Sequence, residues 1–192
     1  MQNTKDKILD SVVSYIKEEP TLSHISMVQI AQRAGIGKST IYDYFETKDS
    51  LIEETYVYLL DKYQKILLRD INMTSFKETM ILQLSWILEV VEDAKVIMEA
   101  ILSSQNELII FNYKHCSKKI ELIQKKMQKR FNKIFSLGMD ELIINKTLHP
   151  YSTNIIQALI SGLMFQYIDN KIDITRSGLI DLIYQELIKV LN

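Results

Sequence analysis

A single cysteine, Cys116, in 192 residues leaves no partner for an internal disulfide and fits a reducing cytosol. Two prolines and five glycines are too few for a turn-rich β fold, so long regular elements are expected. No convincing apolar–polar alternation of the strand type survives inspection, whereas apolar residues recur at three- and four-residue steps almost throughout. No uninterrupted apolar run approaches the roughly 20 residues of a membrane-spanning helix. The opening MQNTKDKILD lacks the continuous apolar segment of a secretory leader. These absences predict an all-α, cytoplasmic protein with no membrane partner. A basic surplus is also missing. The net charge is −1, and residues 1–50 hold six Lys/Arg against seven Asp/Glu. Very strong indiscriminate attraction to a polyanion is therefore not expected, because that attraction comes from phosphate neutralisation.

What is present is a succession of amphipathic segments, about nine helices in all. The first is predicted over Thr4 to Glu18, with Ile8, Leu9, Val12 and Ile16 on one face and Pro20 closing it. Ser26 is a plausible N-cap for a second helix that turns Met27, Ile30, Ala31 and Ala34 inward. Gly35 can take the left-handed conformation that ends such a helix. A short third helix runs from Lys38 to about Tyr44, and Thr47 caps a long fourth one. Further helices are predicted at about 75–92, 94–104, 107–135, 150–169 and 174–191, with a polar turn over Asp70 to Thr74.

The segment Ser26 to Leu51, SMVQIAQRAGIGKSTIYDYFETKDSL, carries the most information. At about 100° per residue Ile41 and Phe45 share a face, and both point toward the apolar residues of the second helix. The opposite face of the third helix presents Ser39, Thr40, Tyr42 and Asp43, flanked by Tyr44 and Lys38. Short hydroxyls and phenols on a helix that follows a glycine turn can reach base edges or donate to phosphates in a major groove. Lys48 falls in the first turn of the fourth helix, where its ammonium and unpaired backbone N–H groups can together hold a phosphate.

This segment resembles the N-terminal DNA-binding domain of tetracycline-repressor (TetR) family transcriptional regulators. The resemblance runs through Ser26, Ile30-Ala31, Ala34-Gly35-Ile36, Thr40-Ile41-Tyr42, Tyr44-Phe45, Lys48 and Leu51. It covers about residues 5–55 by motif and the rest of the chain only by length and helix count. It implies that Ser26, Lys38, Ser39, Thr40, Tyr42, Asp43, Tyr44 and Lys48 form the DNA-binding set. It also implies a three-helix helix-turn-helix domain at 1–48, followed by a larger helical effector-binding and dimerisation domain at 49–192. Three departures stand out. Gly37 replaces a capping side chain, Pro20 stands near a common glycine, and Asp43 places a carboxylate close to DNA, tolerable where it accepts from cytosine N4.

In the larger part, the resemblance implies a homodimer and a small hydrophobic or aromatic effector. Candidate interface residues are Ile155, Leu159, Gly162 and Leu163 on one helix and Ile180, Ile183 and Leu187 on the last, with Gly162 allowing close approach. Candidate pocket residues are Gln83, Trp86, Met98, Asn106, Phe111, Tyr113, Phe131, Asn154, Gln157 and Phe165, joined by Ser103 and Met164. For any single one of these, plain core packing is the commoner fate. Tyr113 to Ile134 holds eight Lys/Arg and one acid, whereas 74–112 holds six acids and two lysines. Pairing between the two stretches is expected, and a docking surface for an acidic partner is the other reading.

His24, His115 and His149 are scattered, and the adjacent pair His115–Cys116 points about 100° apart on a helix, so no metal site is expected. No cofactor motif, nucleophile–base order or paired carboxylates suggest an enzyme. The sequence is thus expected to encode a DNA-binding repressor that recognises a palindromic double-stranded operator as a dimer. The alternative is control of the same fold by a protein partner.

Overall fold

The computed structural model describes residues 3–18, 25–103, 114–145 and 149–192, without the side chains of 96–103 and Lys114. Among the described residues there are eight helices and no strand. They are α1 (Thr4–Glu18), α2 (Met27–Arg33), α3 (Lys38–Tyr44), α4 (Lys48–Leu67), α5 (Phe76–Ser103), α6 (Lys114–Asp140), α7 (Ser152–Ile168) and α8 (Arg176–Leu191). The two helices expected at 75–92 and 94–104 are one, α5. The stretch between them contains neither glycine nor proline, and Glu92 and Asp93 find side-chain partners without interrupting the backbone ladder. Pro20 and His24 lie outside the described residues.

The chain divides into two compact units, Met1–Lys65 with Asp93–Gln124, and Ile66–Glu92 with Lys125–Asn192. In the first unit α1 packs on α2, and α2 on α3. Ile8, Leu9, Val12 and Ile16 of α1 are buried, as are Met27, Ile30 and Ala31 of α2 and Leu51, Tyr56, Leu59 and Tyr63 of α4. Polar ties bind these helices at the margins. The Asp10 carboxylate accepts from Tyr58 Oη at 2.9 Å and from Lys62 Nζ at 2.6 Å. Asp93 pairs with Lys17 and accepts from Tyr63 Oη at 3.1 Å. Burial, with the Asp93 carboxylate beside it, pushes the Tyr63 phenol well above its ordinary range, so it remains a donor. Cys116 is fully buried, and its thiol is pushed up to about 11, chiefly by burial and then by Glu53. A thiol so protonated is a small apolar filler rather than a nucleophile.

The second unit is built around Phe76, Met80, Leu84 and Leu88 of α5, Ile134 and Phe135 of α6, Ile156, Ile160 and Met164 of α7, and the inner face of α8. Helix α5 starts where the Glu141 carboxylate accepts from the Phe76 backbone N–H at 3.0 and 3.1 Å. Helix α7 ends in a left-handed Asn170 (φ 54). Asn170 N–H donates to the Tyr167 carbonyl at 3.0 Å and Lys171 N–H to the Gln166 carbonyl at 2.8 Å, the double bond pattern of a Schellman ending. Thr175 then caps α8, its hydroxyl accepting from Gly178 N–H at 3.1 Å.

The glycine that permits close approach within this unit is Gly138. A Cβ on Gly138 would stand 2.7 Å from Cδ2 of the Phe76 ring, whereas one on Gly162 would meet nothing within 4 Å. Phe76 is fully buried and cannot step aside without disturbing its neighbours. Gly138→Ala is therefore expected to destabilise the protein by roughly 1–3 kcal/mol, measured by urea unfolding, with Gly162→Ala unchanged or slightly stabilised as the control.

Candidate nucleic-acid interface

Two well-formed ends and one bare one define the helix pair at the N-terminal end. At the start of α2 the Ser26 hydroxyl accepts from Gln29 N–H at 3.3 Å, while the Gln29 side-chain oxygen accepts from Ser26 N–H at 2.8 Å. This reciprocal box satisfies two donors that the helix start leaves open. At its end Gly35 takes φ 68, with Gly35 N–H donating to the Gln32 carbonyl at 3.1 Å and Ile36 N–H to the Ala31 carbonyl at 3.0 Å. That ending turns the chain into α3 at a fixed angle, as the glycine position required. Helix α3 itself begins at Gly37, which offers no side-chain cap. Its stability must come from packing instead, and Ile41 and Phe45 supply it, 0% and 1% exposed. Each such burial contributes about 1.5–3 kcal/mol.

With that face anchored, the remaining face of α3 is presented outward. Lys38, Ser39, Tyr42, Asp43 and Tyr44 are exposed, and Thr40 is half-buried. The two phenols stand 45% and 42% exposed, unusual for aromatic side chains in a small domain. Helix α4 opens next to this face, with Thr47 Oγ1 accepting from Ser50 N–H at 3.1 Å. Lys48 is its first residue, and partial burial lowers its ammonium pKa, with Asp49 acting against that. Six of the eight sequence-predicted residues thus lie on α3, five of them exposed and Thr40 half-buried, and Lys48 lies at the adjoining helix start. Ser26 is different, since both the donor and the acceptor of its hydroxyl are engaged with Gln29.

Several cations of this unit are committed elsewhere. Arg33 stacks on the Tyr15 ring at 3.9 Å and pairs with Glu18, and Lys5 pairs with Glu54 above the Phe45 ring. The arrangement can approach a groove and donate hydrogen bonds, but its attraction to phosphate rests on few charges.

The second unit carries a cavity of about 660 Å³. Ile87 and Val91 of α5 and Phe131 of α6 form one side. Asn154, Gln157, Ala158, Ile160, Ser161, Met164 and Phe165 of α7 form the other. Of the sequence-predicted pocket residues, Phe131, Asn154, Gln157, Met164 and Phe165 meet there. Gln83 and Trp86 do not. Gln83 donates to the Leu67 carbonyl at 3.1 Å and accepts from Arg130 at 3.2 Å, and the Arg130 guanidinium lies over the Trp86 ring at 5.9 Å. Arg130 also donates to the Arg69 carbonyl at 2.8 Å, so this group closes the end of α4. Ser103, Asn106, Phe111, Tyr113 and the Met98 side chain lie outside the described residues. Ile87, Val91, Ala158, Ile160 and Ser161 also line the cavity and were not among the predicted residues, since their residue types do not set them apart from ordinary helix packing.

Of the candidate interface residues, Ile155 (46% exposed) and Gly162 face outward, and Leu159 and Leu163 are half-buried. Ile180, Ile183 and Leu187 are buried in the chain's own core. The expected pairing of acidic and basic stretches takes another form. Glu89 pairs with Arg69 through two contacts of 2.8 Å, Glu92 with Arg176, and Asp93 with Lys17. In the basic stretch Lys119 pairs with Asp61, and His115 meets Glu53 at 2.9 Å. Lys118, Lys126, Lys129 and Lys133 stand exposed, in no ion pair among the described residues. No group of three or more metal-ligating side chains occurs among the described residues, and no helix there is long and apolar enough to cross a membrane.

Residues 22–55 match the family model of bacterial regulatory proteins of the tetR family. Over nearly its full length the chain is similar in fold to solved structures of that kind. A putative TetR-family transcriptional regulator from Rhodococcus sp. superposes with a TM-score of 0.65 at 14% identity, covering 100% of both chains. A TetR transcription regulator from Haloarcula marismortui gives 0.70 at 15% identity, over 98% of this chain and 96% of the other. The TetR-like transcriptional regulator LfrR from Mycobacterium smegmatis, solved in complex with proflavine, gives 0.62 at 16% identity, over 100% and 98%. No match is found among curated proteins. The likeness over the whole chain is one of fold, and the likeness in sequence is concentrated in the helix pair.

The cap that holds α2 is open to test. Ser26→Ala removes both hydroxyl contacts and is expected to cost about 1 kcal/mol, read as an earlier onset of thermal unfolding by circular dichroism.

Proposed function

We propose that this chain, which has the TetR fold along its length and that family's DNA-binding segment at 22–55, is a transcriptional repressor of the cytoplasm. In this reading residues 1–48 bind a palindromic operator and residues 49–192 dimerise and receive a small-molecule effector. The observation that carries it is α3: a helix pinned by Ile41 and Phe45, with Tyr42 and Tyr44 about half exposed on either flank of the side turned away. Buried aromatics need no explanation, but two phenols held in water beside Ser39, Thr40 and Lys38 do. Base edges and phosphate oxygens would complete their hydrogen bonding. Two such helices about one DNA turn apart require a dimer, so a half-site repeated with two-fold symmetry follows.

Release needs only differential affinity. An effector that binds better to an arrangement of protomers that fits the operator poorly opposes DNA binding, and the operator opposes the effector to the same degree. The cavity at Phe131 and Phe165 suits a flat apolar molecule; the fold-similar LfrR was solved with proflavine, which is also flat and aromatic. A second reading draws on exposed Lys118, Lys126, Lys129 and Lys133: the same DNA-binding protein controlled by an acidic protein partner. Neutralising Lys126, Lys129 and Lys133 separates the two. Loss of regulation in cells with ligand response intact favours the partner.

Genome-wide binding supplies the operator for the direct tests. Tyr42→Ala with Lys48→Ala is expected to abolish measurable specific binding in a fluorescence-anisotropy titration. Lys48→Ala alone removes one phosphate contact per protomer and so reduces the salt-dependence slope by about two in a dimer. Operator affinity unchanged in the double variant would contradict the contact map. Asp43→Asn removes a carboxylate that repels phosphate unless it meets cytosine N4. It is expected to tighten binding to random DNA and narrow the preference for operator; equal affinities of both proteins for both DNAs would contradict this.

A further inference from the structure

In the second unit the exposed face of α6 is a row of lysines. Lys126, Lys129 and Lys133 stand exposed, in no ion pair among the described residues. At about 100° and 1.5 Å per residue the three lie within about 60° of one another, over about 10 Å of helix. Lysines three and four apart on one face repel each other, and no ion pair among the described residues offsets that. Residues 122–139 hold no acid, and every exposed position from 125 to 136 is Lys, Gln, Asn or Ser. Arg130, the one arginine of that stretch, is taken up within the unit, donating to the Leu67 and Arg69 carbonyls and to Gln83. Asn132 accepts from Gln128 Nε2 at 3.1 Å, which leaves the Asn132 amide N–H groups as donors.

We infer that this lysine face binds the phosphate backbone of nucleic acid irrespective of sequence, and so supplies a general attraction to DNA that α3 lacks. Its chemistry chooses the occupant. Interfaces between proteins favour aromatic, Met and Arg side chains and are depleted in Lys, whereas this face presents only lysines and neutral polar groups. An anionic membrane holds a basic helix through apolar side chains set beside the cations, and no exposed position from 125 to 136 is apolar. Phosphates and sugars, in contrast, are contacted by Lys, Asn, Gln and Ser. One strand of a duplex carries about one phosphate per 3.4 Å. Three ammonium groups over about 10 Å of helix can therefore lie along a strand and release its counter-ions. Reading and general attraction then belong to different helices, and a protein held loosely on any duplex can slide toward its operator. This inference rests on the DNA-binding regulator reading and gives it a second surface.

The test is a fluorescence-anisotropy titration of the full chain against a random-sequence duplex over a salt series. The triple variant Lys126→Gln, Lys129→Gln, Lys133→Gln alters exposed side chains only, and circular dichroism checks its fold. It is expected to bind the random duplex at least about tenfold more weakly, with a salt-dependence slope lower by about 2 to 3 per bound protomer. Arginine at the same three positions keeps the charge and should keep the affinity within about threefold. Random-duplex affinity and slope unchanged in the triple glutamine variant would overturn the inference. So would a wild-type protein that fails to bind random duplex at low salt. Poly-glutamate and phosphatidylserine vesicles are titrated in parallel at matched charge. Binding of either that is tighter than to the duplex, and is lost in the triple glutamine variant, would give the face to an acidic protein or a membrane and overturn the assignment. The wild-type preference for operator over random duplex is read in the same titrations. If it persists while the triple variant behaves as wild type, the lysine face alone fails. If no genomic fragment is preferred over random duplex, the regulator reading fails instead.

Discussion

Burial of Ile41 and Phe45 is the contact on which the functional surface depends. Helix α3 has only seven residues and no side-chain N-cap, and a helix that short does not persist in water by itself. It holds its shape because two apolar residues on one side are removed from solvent beside α2. Every exposed group on the other side takes its direction from that pair. The positive-φ turn at Gly35 fixes where α3 begins, and the Thr47 cap fixes where α4 begins after it.

The same economy shows in the charges. Several cations of the first unit hold the scaffold together: Arg33 on Tyr15 and Glu18, Lys62 on Asp10, Lys17 on Asp93. Exposed pairs of this kind contribute little stability each, but they withdraw positive charge from the surface. Under the proposed function, a reading head built this way would gain little from bulk attraction to DNA, and its discrimination would fall to hydroxyls, phenols and the geometry of a pair.

The helix-turn-helix was legible because local chemistry sets it. Capping at Ser26, the left-handed Gly35 and the Ile41–Phe45 spacing are short-range rules, and α1 and α3 follow the bounds they imply. The larger unit was legible only as helices. Trp86 and Gln83 looked like pocket residues by type, yet Arg130, 44 positions beyond Trp86 along the chain, draws both into closing the end of α4. Gly138 drew no notice, because a Cβ clash with Phe76 is a tertiary fact. The acids near Glu89 and Glu92 looked complementary to the lysines of α6, but Arg69 and Arg176 reach them first. Periodicity states which face is apolar, and it is silent on which neighbour meets that face.

The central claim is that α3 reads DNA as one of a symmetric pair. Hydroxyl-radical footprinting on a fragment recovered by genome-wide binding tests it most directly. The expected result is protection on one face of the duplex, in two blocks centred about one helical turn apart and related by two-fold symmetry. A single protected block, or protection spread evenly regardless of sequence, would contradict it.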